Sequence, residues 1–177
     1  MPSREIACAA ILSGLIFVPF ATTKEPKAEL TLKDADGRRV RLSDYRGKLV
    51  VLNFWATWCG PCASEMPTLV EAEKTYSDRV VFIAASLDDG KSRSNVPEFL
   101  NKYHVTFPVW FGATGDDLAK LDMGPAVPAT AFIDEDGHII SRIWGQFREP
   151  ELKERLEWMT GPRTGPAPQA VVKHLEK

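Results

Sequence analysis

Two cysteines three residues apart, Cys59 and Cys62, stand at the seam between two hydrophobic patterns. Before them, Leu49-Val50-Val51-Leu52-Asn53-Phe54 is a short, apolar, β-branched run of the kind that makes a buried strand. After them, Met66, Leu69, Val70 and Glu73 recur at helical spacing. Such a chain passes from a central strand into a helix at its cysteines, and Pro61 stiffens the helix start. The first-turn N–H groups of a helix have no intrahelical acceptor and carry partial positive charge, so a sulfur placed there is favoured as thiolate. This makes Cys59 the expected nucleophile. Cys62 lies about one turn further on, within reach of a disulfide, and is the expected resolving thiol.

The other uses of paired cysteines fit less well. Zinc takes about four ligands, yet the third cysteine, Cys8, sits in an apolar leader, and His104, His138 and His174 are scattered without motif spacing. The residues therefore assign no metal and no cofactor. A static structural disulfide remains open, although short, accessible bridges are usually the labile kind.

Residues 6–21 carry no charge and fall short of the ~20 residues that cross a bilayer comfortably. We read 1–21 as a signal peptide or N-terminal membrane anchor, and 22–28, polar and interrupted by Pro26, as a linker. The folded domain is expected over 29–160, and 161–177, rich in Gly, Pro and Ala, as a flexible tail. Without the leader only Cys59 and Cys62 remain, the inventory of a redox protein exported to an oxidising compartment. With 22 basic against 24 acidic residues, the chain offers no polycation to nucleic acid and no polybasic patch to anionic lipid.

Along the folded part, residues 30–32 and 40–42 alternate apolar with polar about Asp36-Gly37, a hairpin signal. A second buried strand is expected at 79–86, a helix from about 95 to 103, a short strand at 109–111, and a helical turn or two at 116–121. Two antiparallel strands follow about Asp134-Glu135-Asp136-Gly137, then a helix opened by Glu149-Pro150 and closed by Gly161-Pro162. Strands alternating with helices imply an α/β chain with a mixed sheet covered on both faces.

The run Trp55-Ala56-Thr57-Trp58-Cys59-Gly60-Pro61-Cys62 is similar to the thioredoxin active-site segment. From Asn53 through Glu65-Met66-Pro67 it resembles more closely the TlpA/ResA/CcmG group of extracytoplasmic thiol:disulfide oxidoreductases. The resemblance extends over about residues 30–159. It implies a thioredoxin fold: a mixed central β-sheet flanked by helices, with an N-terminal β-hairpin and a central insertion within 87–111. It also implies a redox disulfide between Cys59 and Cys62, and Trp58 as the surface indole beside it.

Val127-Pro128-Ala129-Thr130 matches the cis-proline segment of thioredoxin-like proteins, whereas by itself a proline before a strand reads as a plain turn. The match implies that Pro128 faces the cysteines and keeps metals from them, leaving Val127 as an edge on which a substrate strand docks. Asn53 stands where thioredoxins keep a buried aspartate, and in the resembled group a glutamate matching Glu65 is the implied acid/base. The residue alone allows a second role for Glu65, that of an acid stabilising the helix dipole.

The function expected from all this is an exported protein disulfide reductase working by dithiol/disulfide exchange. The resemblance implies apocytochrome c or copper-delivery proteins as substrates and a thiol-reducing membrane electron donor, in the periplasm or on the outer face of the membrane. A general disulfide oxidant, and a non-enzymatic copper-binding or docking redoxin, are the alternatives. Against the latter, a Cu(I) site wants further soft ligands.

Overall fold

The structure is a computed structural model that describes residues 26–175. The expected leader and the first part of the expected linker lie outside the described residues. Lys27 already bridges His138, and the Ala28 amide donates to Gly137 at 2.8 Å, so the folded unit begins two residues earlier than expected.

The chain runs β1 (Thr31–Lys33), β2 (Arg39–Arg41), β3 (Leu49–Trp55), α1 (Gly60–Tyr76), β4 (Val80–Ser86) and α2 (Val96–Lys102). It continues through β5 (Val109–Phe111), α3 (Gly115–Lys120), β6 (Ala129–Ile133), β7 (Ile139–Trp144), α4 (Glu149–Thr160) and β8 (Val171–Lys173). The strands form one sheet in the order β2-β1-β5-β4-β3-β6-β7-β8. β3 lies inside it, parallel to β4 and antiparallel to β6. The inserted strand β5 joins β4 to the N-terminal hairpin, which has no other route into the sheet.

Side chains alternate across a strand, so β3 feeds two cores at once. Leu49, Val51 and Trp55 point into one with Met66, Leu69, Phe99, Leu152 and Leu156. Val50, Leu52 and Phe54 point into the other with Ile83, Trp110, Leu118 and Met123. The same alternation turns Asn53, a polar residue in an otherwise apolar strand, toward α1. Trp55 anchors the first core: its ring lies 4.6 Å from that of Phe99, which lies 4.6 Å from Tyr103. α3 starts with a capping box between Thr114 and Asp117, and Leu152, Leu156 and Met159 form the buried face of α4.

One expectation is overturned. The segment read as a flexible tail contributes β8, paired in parallel with β7. Composition does not reveal this strand, because Val171-Val172 is too short to pattern and its hold comes from far along the chain. The buried Arg155 donates to Ser141 Oγ at 2.7 Å and to the Gln169 carbonyl at 3.1 Å, and Ser141 Oγ donates to that same carbonyl at 2.8 Å. Beyond β8, the His174 amide donates to the Trp144 carbonyl at 2.7 Å. The chain crosses so close to Gly145 that a Cβ there would lie 3.0 Å from the His174 carbonyl carbon, and Gly145 has φ +91°. Gly145→Ala is therefore expected to destabilise the protein by about 1–2 kcal/mol. Chemical denaturation measures this; a variant as stable as the parent would mean that the crossing yields freely.

Candidate active site

β3 ends at Trp55, and four residues later Cys59 occupies the N-cap of α1. Its sulfur accepts the Cys62 backbone N–H at 3.2 Å, so a first-turn donor with no helical partner points at the sulfur. Cys59 and Cys62 form a disulfide with an S–S length of 2.04 Å. Cys59 retains 6% exposure and Cys62 none. Only the first sulfur can meet an incoming group, which fits the division of roles expected from helix polarity. Trp58, 63% exposed, is the one large hydrophobic side chain among the described residues left on the surface, and Trp55 is fully buried.

The approach to Cys59 is pinned by a residue that sequence reasoning passed over as loop. Asp88, buried just beyond β4, accepts the Thr57 amide at 2.9 Å and the Thr57 hydroxyl at 2.6 Å, and also the Ser86 hydroxyl at 2.9 Å. These bonds fasten the turn bearing Trp58 to the end of the neighbouring strand. The only signal in the sequence was an acidic residue immediately after a buried run.

Glu65 is 2% exposed. α1 begins at Gly60, which puts Glu65 in the second turn with its side chain turned inward; its first turn contains no acid. The helix-dipole reading is thus corrected: this carboxyl faces the sheet. Asn53 Nδ2 donates to it at 2.8 Å, and the Phe147 backbone N–H donates to its other oxygen at 3.2 Å. Burial outweighs these two donors and pushes the Glu65 carboxyl up to about 8. Asn53 Nδ2 also reaches Thr130 Oγ1 at 3.0 Å, while Asn53 Oδ1 is buried with no partner.

Pro128 precedes β6 immediately. Ala129 pairs with Phe54 across the sheet, so Pro128 lies level with the end of β3, where the chain departs for the cysteines. The Val127-Pro128 bond is cis. Pro128 and the half-buried Val127 share a surface groove with Pro61 of the Cys-Gly-Pro-Cys turn. The structure thus gathers Cys59, Cys62, Glu65, Trp58, Val127 and Pro128 at one end of the sheet. Among the described residues no three His, Cys, Asp or Glu side chains come together as a metal site.

The redoxin family model matches residues 20–156. The chain belongs to the redoxin family. It is 36% identical over 154 residues to a thiol-disulfide oxidoreductase ResA of Geobacillus thermodenitrificans, covering 84% of this chain and 87% of that one. Among solved structures, a thiol:disulfide interchange protein assigned as DsbE, from Chlorobium tepidum, superposes with a TM-score of 0.69 at 28% identity, over 78% of this chain and 98% of that one. A secreted disulfide oxidoreductase of Mycobacterium tuberculosis gives 0.62 at 25% identity, over 72% and 93%. With its Cys59–Cys62 disulfide, this redoxin is a ResA-like thiol:disulfide oxidoreductase of thioredoxin fold.

Asp88 carries a prediction. Asp88→Ala leaves three donors without their acceptor, two of them on Thr57, and is expected to cost about 1–3 kcal/mol. Asp88→Asn keeps one acceptor oxygen and is expected to lose less. Thermal or denaturant unfolding of the disulfide form reads both, and equal losses in the two variants would reject the acceptor role.

Proposed function

We propose that this redoxin is an exported reductase of disulfides in partner proteins, with apocytochrome c or copper-delivery proteins as substrates and a thiol-reducing membrane protein as electron donor. The observation that carries the reading is the pairing of one reachable helix-capping sulfur with a fully buried second sulfur and a buried, proton-retaining carboxyl on the same helix. Exported location is supported by the uncharged leader at 6–21 and by a structural relative described as secreted. Among the described residues no helix is long and apolar enough to cross a membrane.

In the reduced protein the Cys59 thiolate attacks one sulfur of the partner's disulfide. The partner's S–S bond breaks, a Cys59–partner bond forms, and the partner's other sulfur leaves as a thiolate and takes up a proton. Cys62 then loses its proton and attacks Cys59, the mixed disulfide breaks, and two electrons have passed to the partner as the Cys59–Cys62 bond closes. Glu65 is the proposed acid/base for the Cys62 proton, which it accepts only in its ionised form, a minority below about pH 8. Asn53 cannot titrate, so it positions the carboxyl instead. The Val127 backbone beside Pro128 takes the partner strand, and Trp58 covers the sulfur's approach.

A Cys62→Ala variant holds partners on Cys59 because the resolving sulfur is gone. Recovery of apocytochrome c or a copper-delivery protein is the expected result. Capture confined to a broad set of unrelated exported chains would replace this reading with a general oxidant.

Glu65 gives a sharper test. A carboxyl raised to about 8 in the folded protein holds its proton there between about pH 4.5 and 8 but releases it when unfolded. The folded state binds more protons over that window, so its stability falls as pH rises through it. Glu65→Gln is expected to flatten this slope in the disulfide form and to shift the pH dependence of mixed-disulfide resolution. An unchanged pH–rate profile would remove Glu65 from the proton path.

A further inference from the structure

The family match ends at residue 156, yet the chain beyond it returns to the active-site end of the sheet. A groove of about 610 Å³ runs from Pro61, Val127 and Pro128 to a far wall built by Lys173, His174 and Leu175, with Gln146, Phe147 and Arg148 between. Its near rim is therefore the edge proposed to receive the partner strand, and its far rim is the terminal segment of this chain.

The charge on this groove is one-sided. Arg148 and Lys173 are exposed and line it, and among the described residues no Asp or Glu does. Glu151, beside the groove, is engaged by two of its residues: it accepts the Arg148 amide at 2.8 Å and meets His174 Nε2 with both oxygens at 3.0 and 2.9 Å. The Lys173 ammonium is held 4.2 Å above the Trp144 ring, and the Trp144 indole N–H donates to the Asp122 carbonyl at 3.0 Å. An ammonium against an aromatic face loses little by taking a carboxylate on its open side. The wall is also anchored, by the β7–β8 pairing, the His174–Trp144 bond and the close crossing over Gly145.

We infer that this groove is a specificity subsite for partner segments that carry acidic side chains next to their disulfide, with Lys173 and Arg148 as the residues that recognise them. The inference rests on the proposal that partner strands dock at Val127-Pro128. A partner strand lying on that edge passes along the groove floor, and its side chains a few residues from the cystine reach the basic wall. The attraction acts on encounter and orientation, so it appears in the rate of disulfide exchange and weakens with salt.

The test uses three synthetic peptides, each with one internal disulfide flanked by Asp, by Ser or by Lys, and the reduced full chain. At low ionic strength the Asp-flanked peptide is expected to react about tenfold faster than the Lys-flanked one, with the ratio falling toward unity at high salt. Lys173→Glu combined with Arg148→Glu should invert the order, since both side chains are exposed, and circular dichroism checks that the variant keeps its fold. A parallel run presents the dithiol forms of the same peptides to the oxidised protein, where docking is read without the protein acting as reductant. Absence of any preference, or a preference that survives the double reversal, overturns the subsite. If the peptides exchange only in the oxidising direction, with the preference and its inversion intact, the subsite stands and the reductase reading falls.

Discussion

A carboxyl group removed from water ties the active-site end of this molecule together. Glu65 on α1 takes one donor from β3, through Asn53, and one from the chain between β7 and α4, through the Phe147 amide. Two consecutive elements and a segment 82 residues beyond Glu65 thus meet at a single acidic side chain. Burying an ionised carboxylate costs several kcal/mol unless its oxygens are well served, and two neutral N–H donors serve it only in part. The pocket resolves the conflict by holding the proton. The donors that face the carboxyl would also steady its anion, while Asn53 Oδ1 has no partner of its own. The site therefore suits a group that changes charge during a reaction rather than one fixed in either state.

This arrangement separates two tasks along one helix. The helix start presents a sulfur to the outside, where unpaired N–H groups favour its anion, and the second turn keeps a carboxyl inside, where low polarity disfavours its anion. Cys62 lies between the two environments on the buried side. Asp88 holds the outer part steady by fastening Thr57, so the approach to Cys59 depends on a second buried acidic side chain, one that accepts three hydrogen bonds.

The central elements were legible because local and global signals agreed. The apolar run at 49–54, the cysteine turn and the helical spacing after it produced β3, the N-cap and α1, and the hairpin about Gly37 followed from alternation and its turn residues. What escaped the sequence depends on distant partners. Whether Glu65 caps a helix or enters the core turns on where α1 begins, and a shift of a few residues separates the two. β8 is a three-residue strand fixed by Arg155, a residue type that composition assigns to solvent. Asp88 looked like ordinary loop because its acceptors and donors converge only after β3 and β4 align in register.

The two outer strands of the sheet, β2 and β8, are each three residues long, and Arg39, Arg41 and Lys173 stand on them. Short, cationic margins are poor templates for strand addition. A thiol:disulfide oxidoreductase that acts on other proteins is exposed to that hazard wherever partner chains carry unpaired backbone in search of a sheet. Brevity and charge at both margins discourage them from annealing there and propagating aggregates. The same terminal segment that forms the groove wall also closes the sheet against its own clients.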